Sequence, residues 1–129
     1  MANPNLAVKE RFVTALFSGD TATMEELLAP DFELQQPKGL TYEGTYKGFA
    51  GFMQFVEKYM GAYNAETLDT TAAYYAEDNP DVIVFEFLSQ GTLQSNGKRY
   101  DSTILEPWYF RDGKITLIRP HWFEQPPLG

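Results

Sequence analysis

One carboxylate in this chain stands among apolar neighbours. If Arg99 to Phe110 is a strand, alternation puts Ile104, Glu106, Trp108 and Phe110 on one face. A carboxyl between Ile and Trp loses its hydration. Burial favours the neutral form, so Glu106 could stay protonated near neutrality and act as an acid or hydrogen-bond donor. The competing reading is a rim carboxylate paired with Lys or Arg in water, and Pro107 beside it suggests a bulge that re-aims the side chain. The second candidate is His121, the single histidine, whose ordinary pKa suits proton exchange at neutral pH. Its direction depends on strand phase: Thr116, Ile118, Pro120 and Trp122 make one face, and Leu117, Arg119, His121 and Phe123 the other. A bulge at Pro120 would exchange the two. Glu86 alternates with Val84 and Leu88 and is either a further pocket acid or an ion-paired strand residue. Trp108 and Trp122 could stack on a flat ligand or pack the core. Tyr42 and Tyr59 could place hydroxyls at a cavity mouth.

The rest of the composition narrows the chemistry. There is no Cys, which removes thiolate catalysis, disulfides and Cys-based metal sites. One His removes multi-histidine metal sites, and no carboxylate motif replaces them, so neither a metal nor a cofactor is expected. Ten basic residues against 18 acidic ones leave a net charge of −8, unsuited to nucleic acid or an anionic membrane. No apolar run approaches the roughly 20 residues of a membrane span. The N-terminus has no secretion pattern, and the expectation is a soluble cytoplasmic protein. The 129 residues suffice for one domain, 1–129, with 125–129 as a loose tail.

These candidates need elements to hold them. Leu6 to Phe17 reads as a helix, with Val8, Phe12, Ala15 and Leu16 on one stripe and Lys9, Glu10 and Arg11 off it. Ser18-Gly19-Asp20 ends it, and a short second helix runs from Thr21 to Ala29 before Pro30. Phe32 to Gln36 alternates as a strand, and Thr41 to Lys47 is a loop or short extended piece. A third helix, from Gly48 or Phe49 to Met60, has Phe49, Phe52, Met53, Val56 and Met60 on one face. Strands follow at Glu66–Glu77, Val82–Gln94, Arg99–Phe110 and Ile115–Glu124. Asn96-Gly97 and Asp112-Gly113 provide hairpin turns. Early helices and late antiparallel strands argue for an α+β fold. Val82 to Leu88 is apolar on both faces. One face packs on helices, and the other predicts a homodimer through the back of the sheet.

The order of elements resembles the nuclear transport factor 2-like cone, in particular its SnoaL-like branch. The likeness is carried by Phe12 to Leu16 with Gly19-Asp20, Leu28 to Phe32, Tyr42 to Gly48, Glu77 to Pro80, Phe85-Glu86-Phe87, Gly97 to Tyr100 and Phe110 to Ile115. The later half is also similar to the phenazine-biosynthesis A/B proteins. The resemblance implies three helices packed on a strongly curved, mostly antiparallel sheet around a hydrophobic pocket. Against the ketosteroid isomerases (a worked case in enzyme chemistry), it places Phe12 where a Tyr donates, Gln36 where an Asp moves the proton, and Glu106 at the strand acid. Against the phenazine proteins it places Pro120 and Thr70 at the acid and His positions. Against the epoxide hydrolases it places Ile104 at an Arg. Two readings remain open. One is a cofactor-free isomerase, cyclase or dehydratase acting on a hydrophobic carbonyl compound, with Glu106 as acid and His121 as base. The other is a non-catalytic binding or dimerisation module.

Overall fold

A computed structural model describes residues 3–124; the tail read as loose, 125–129, lies outside them. Three helices come first: α1 (Pro4–Ser18), α2 (Thr21–Leu27) and, after two strands, α3 (Gly48–Ala62). Seven strands form one sheet: β1 (Leu28–Gln36), β2 (Gly44–Lys47), β3 (Tyr63–Ala76), β4 (Asn79–Leu93), β5 (Arg99–Arg111), β6 (Lys114–Ile118) and β7 (His121–Trp122). The order is β2-β1-β6-β5-β4-β3, with β7 paired to β5. Every pairing is antiparallel except β1 with β6. The α+β expectation holds. Among the described residues no helix is long and apolar enough to cross a membrane.

Local chemistry explains the boundaries. Asn3 caps α1 through the Asn5 N–H, and Gly19 closes it in the left-handed region that a Cβ disfavours. The second helix stops at Leu27, earlier than Ala29. Pro30 cannot continue a helix and biases Ala29 toward extended backbone, so Leu28 and Ala29 open β1 instead. Asp112 and Gly113 both have positive φ, 52° and 76°, as a primed two-residue turn requires. The loop at Asn96-Gly97 is longer, closed by Gly97 N–H to Leu93 O and Leu93 N–H to Lys98 O. The last predicted strand is broken: β6 ends at Ile118, and Pro120, which has no N–H, interrupts the ladder before β7.

The core lies between the helices and the inner face of the sheet. Ile83, Phe85 and Phe87 are fully buried on β4, facing Ile104, Trp108 and Phe110 of β5. Phe12 of α1 meets Phe52 of α3 at 5.2 Å and Trp108 at 5.8 Å, edge to face. Lys9 departs from the sequence reading. It is buried on the inner stripe of α1, with its Nζ 2.7 Å from Thr70 Oγ1 and over the Phe85 ring at 5.0 Å, and it pairs with Glu10. The long stem packs as an apolar residue does, while the ammonium finds a hydroxyl, a carboxylate and an aromatic face.

Candidate functional site

The inner face of β5 carries Ile104, Glu106, Trp108 and Phe110, in the phase that alternation predicts. No bulge occurs at Pro107: Phe85 opposes Glu106 and Val84 opposes Pro107 without a register shift. The irregularity lies one strand over. Phe110 opposes Ile115 while Tyr109 opposes Leu117, so Thr116 is the extra residue, its Oγ1 donating to Tyr109 O. Ile115 and Ile118 are therefore both buried.

Beneath the helices this face borders a cavity of about 260 Å³. Its wall is mostly apolar, and the rings on it include Phe12, Phe52, Phe55, Tyr59, Trp108 and Trp122. Three further polar side chains enter it: Gln36, Ser89 and Glu106. The two tryptophans hold two of these. Trp108 Nε1 donates to Glu106 Oε1 at 2.9 Å, and Trp122 Nε1 donates to Gln36 Oε1 at 3.3 Å. An indole nitrogen only donates, so the Gln36 oxygen faces Trp122 and its Nε2 remains free to donate. Register explains how the pair meets one space. Ile118 is paired with Leu34 on one side and Trp108 on the other. Carried two residues further, these registers would set Gln36 and Glu106 on either side of Pro120, with Cα positions about two strand spacings, roughly 10 Å, apart.

Burial pushes the Glu106 carboxyl up to about 7, and the Trp108 hydrogen bond acts against it by favouring the anion. The remaining exposure of this half-buried residue opens onto the cavity it lines. The Tyr59 phenol is held well above its ordinary value by burial and by its hydrogen bond to Tyr100, so it stays neutral.

A consequence for stability follows. The folded carboxyl, near 7, binds its proton more tightly than an unfolded one near 4.5. This preference stabilises the fold below about 4.5 and is lost as pH rises toward 7. A shift of this size is worth roughly 3 kcal/mol. Urea unfolding should therefore show stability falling between pH 5 and pH 8, and Glu106→Gln should flatten that slope. Asp20 and Asp31 are held low by hydrogen bonds from Thr23 and Arg111 and titrate outside this window. An equal slope in both proteins would contradict the assignment.

The structure gathers Phe12, Gln36, Tyr59, Glu106, Trp108 and Trp122 around the cavity. Four other sequence candidates lie elsewhere. His121 is exposed and opposes Leu105 on the outer face, because phase is continuous from Ile118 to Trp122 and no bulge turns it inward. It shares no space with Glu106 and cannot be its base. Glu86 also points outward, accepting from Thr71 Oγ1 at 2.7 Å. Pro120 is buried at the strand break without lining the cavity, and Tyr42 packs behind Trp122 at 6.0 Å with 1% exposure. Ser89 escaped the sequence reading, although it shares the inward phase of Phe85 and Phe87. Among the described residues no group of His, Asp and Glu is placed to hold a metal.

Helices laid over the inner face of a curved sheet, with a cavity between them, define the nuclear transport factor 2-like class. The family model for the SnoaL-like domain matches residues 10–118, and the chain belongs to that family. No curated protein matches it. Similar solved structures include an NTF2-like protein of unknown function from Burkholderia pseudomallei K96243. It is 20% identical, with 95% of this chain and 92% of that one covered and a TM-score of 0.81. TerC, co-crystallised with polyporic acid, is 20% identical over 92% of this chain and 91% of its own, also at 0.81. A putative isomerase from Bacillus subtilis is 18% identical over 95% and 89%, at 0.77. At these identities the likeness is one of fold.

Proposed function

We propose that this protein binds a neutral, hydrophobic, carbonyl-bearing molecule in the cavity and moves a proton on it without a cofactor, as an isomerase does. The observation that carries this reading is the Glu106 carboxyl, held near 7 in an aromatic cavity by desolvation. A base of that strength suits work near neutral pH. In its ionised form Glu106 takes a proton from the carbon next to the carbonyl. The free Gln36 Nε2 donates to the oxygen as negative charge develops there. The protonated Glu106 then returns the proton to the same carbon or to a conjugated one, so one carboxyl serves as base and acid. The test is exchange of the methyl hydrogens of 2-acetylnaphthalene for solvent deuterium, followed by NMR.

A second reading has its own support. Among the described lining residues, Glu106 is the single group held near neutrality, so a bound ligand meets no second acid or base. Binding without exchange would establish a non-catalytic ligand-binding module.

The outer face of the sheet supports pairing with a second copy of the chain. Val82, Val84 and Leu88 lie there half-buried, beside Tyr74 at 58% exposure and Leu105 at 39%. Such a patch favours self-association across a two-fold axis. Sedimentation should find a species of twice the chain mass, reduced to monomer by Leu105→Arg. A native protein that stays monomeric at tens of micromolar would refute the pairing.

A further inference from the structure

The cavity has a second polar end. The Tyr59 hydroxyl lies 3.0 Å from that of Tyr100, and Ser89 lines the same cavity. Ser102 opposes Ser89 on the inner face of β5, fully buried, and its Oγ has no partner among the described residues. A buried hydroxyl without a partner is costly, which marks this end as short of hydrogen-bonding groups. Each hydroxyl offers one proton and two lone pairs, so the Tyr59–Tyr100 pair, with Ser89 on the same cavity wall, makes a row of hydroxyls that can accept one more member.

The two ends are separated along the strands. Glu106 opposes Phe85, and Ser89 lies four residues beyond Phe85 on β4. At about 3.4 Å per residue this is roughly 14 Å, with apolar and aromatic walls between. The ends also differ in kind. Gln36 Nε2 only donates and protonated Glu106 has a proton to give, so that end asks for an acceptor. The hydroxyl row asks for a group that can join it in either direction. No Lys or Arg is found among the described lining residues, so an anionic ligand would meet no counter-charge.

We infer that the cavity selects a flat, neutral, two-ring molecule with a carbonyl at one end and a hydroxyl at the other, the hydroxyl being read by Ser89 and Tyr59. This rests on the carbonyl-binding reading above and adds the far end of the ligand to it. A hydroxyl that joins a buried row without losing hydrogen bonds should improve affinity about tenfold.

The test compares two probes, 2-acetylnaphthalene and 6-hydroxy-2-acetylnaphthalene, by calorimetric titration at pH 6. In the native protein the hydroxylated probe should bind about tenfold more tightly. In Tyr59→Phe/Ser89→Ala the ratio of the two dissociation constants should fall to near one. Because the ratio is taken within each protein, loss of some folded material cancels. A ratio near one in the native protein overturns the inference and leaves the carbonyl reading intact, and so does a ratio that survives the double substitution. Failure of both probes to bind the native protein overturns the carbonyl reading, and this inference with it.

Discussion

Glu106→Gln should slow deuterium exchange into bound 2-acetylnaphthalene by at least about a hundredfold, the usual worth of a positioned base. The amide cannot take a proton, yet it keeps the shape of the carboxyl and can still accept from Trp108 Nε1, the hydrogen bond that holds Glu106 at 2.9 Å. Binding should therefore weaken far less than exchange does. The pH profile separates this account from general loss of structure. The anion is the base and titrates near 7, so native exchange should rise with pH through about 7 and then level off. The variant should show only the solvent-catalysed background. Exchange that persists in Glu106→Gln with the native profile would remove Glu106 from the chemistry.

Gly91→Ala should destabilise the fold by about 2–4 kcal/mol in urea unfolding, among the largest single effects available here. A Cβ at Gly91 would sit 2.2 Å from Asn64 O and 3.1 Å from Ala65 Cα, both backbone atoms, and 3.0 Å from the Tyr100 hydroxyl. The pairing shifts register beside it, from Ala65 opposite Gly91 to Thr67 opposite Gln90. Glycine lets β3 press against β4 at this bulge. Relief of the clash would require the two strands to part. Gly61→Ala is the control: it lies in α3, where an added Cβ would meet nothing within 4 Å, and Ala is the better helix former, so stability should hold or rise slightly. A loss under 1 kcal/mol at Gly91 would mean that the strands yield more easily than this packing allows.

Much of the fold was legible because it depends on local signals. The Asp112-Gly113 pair specifies its turn, and the alternation of Ile83, Phe85 and Phe87 marks the buried face of β4. The same alternation placed Glu106 and Trp108 on one side. What stayed hidden depends on distant partners. A helical stripe counts ammonium groups as polar, so Lys9 reads as solvated in the sequence. Its burial rests on Thr70 and Phe85, which only the folded sheet brings near. The direction of His121 turned on whether an extra residue sat at Pro120, and nothing local announces that the irregularity falls at Thr116 instead, before Ile118. The Trp122–Gln36 pair joins residues 86 positions apart. The hydroxyl row at Tyr59, Ser89 and Tyr100 draws on three elements, so no single stretch could announce it.

Everything functional rests on a carboxyl that keeps its proton to near neutral pH because its surroundings are apolar. The direct measurement is a carbon-13 NMR titration of the side-chain carboxyls, with the Glu106 resonance assigned by its absence from Glu106→Gln. A midpoint near 7 is the result expected. A midpoint near the ordinary 4.5 would show the carboxyl to be hydrated and would contradict the account.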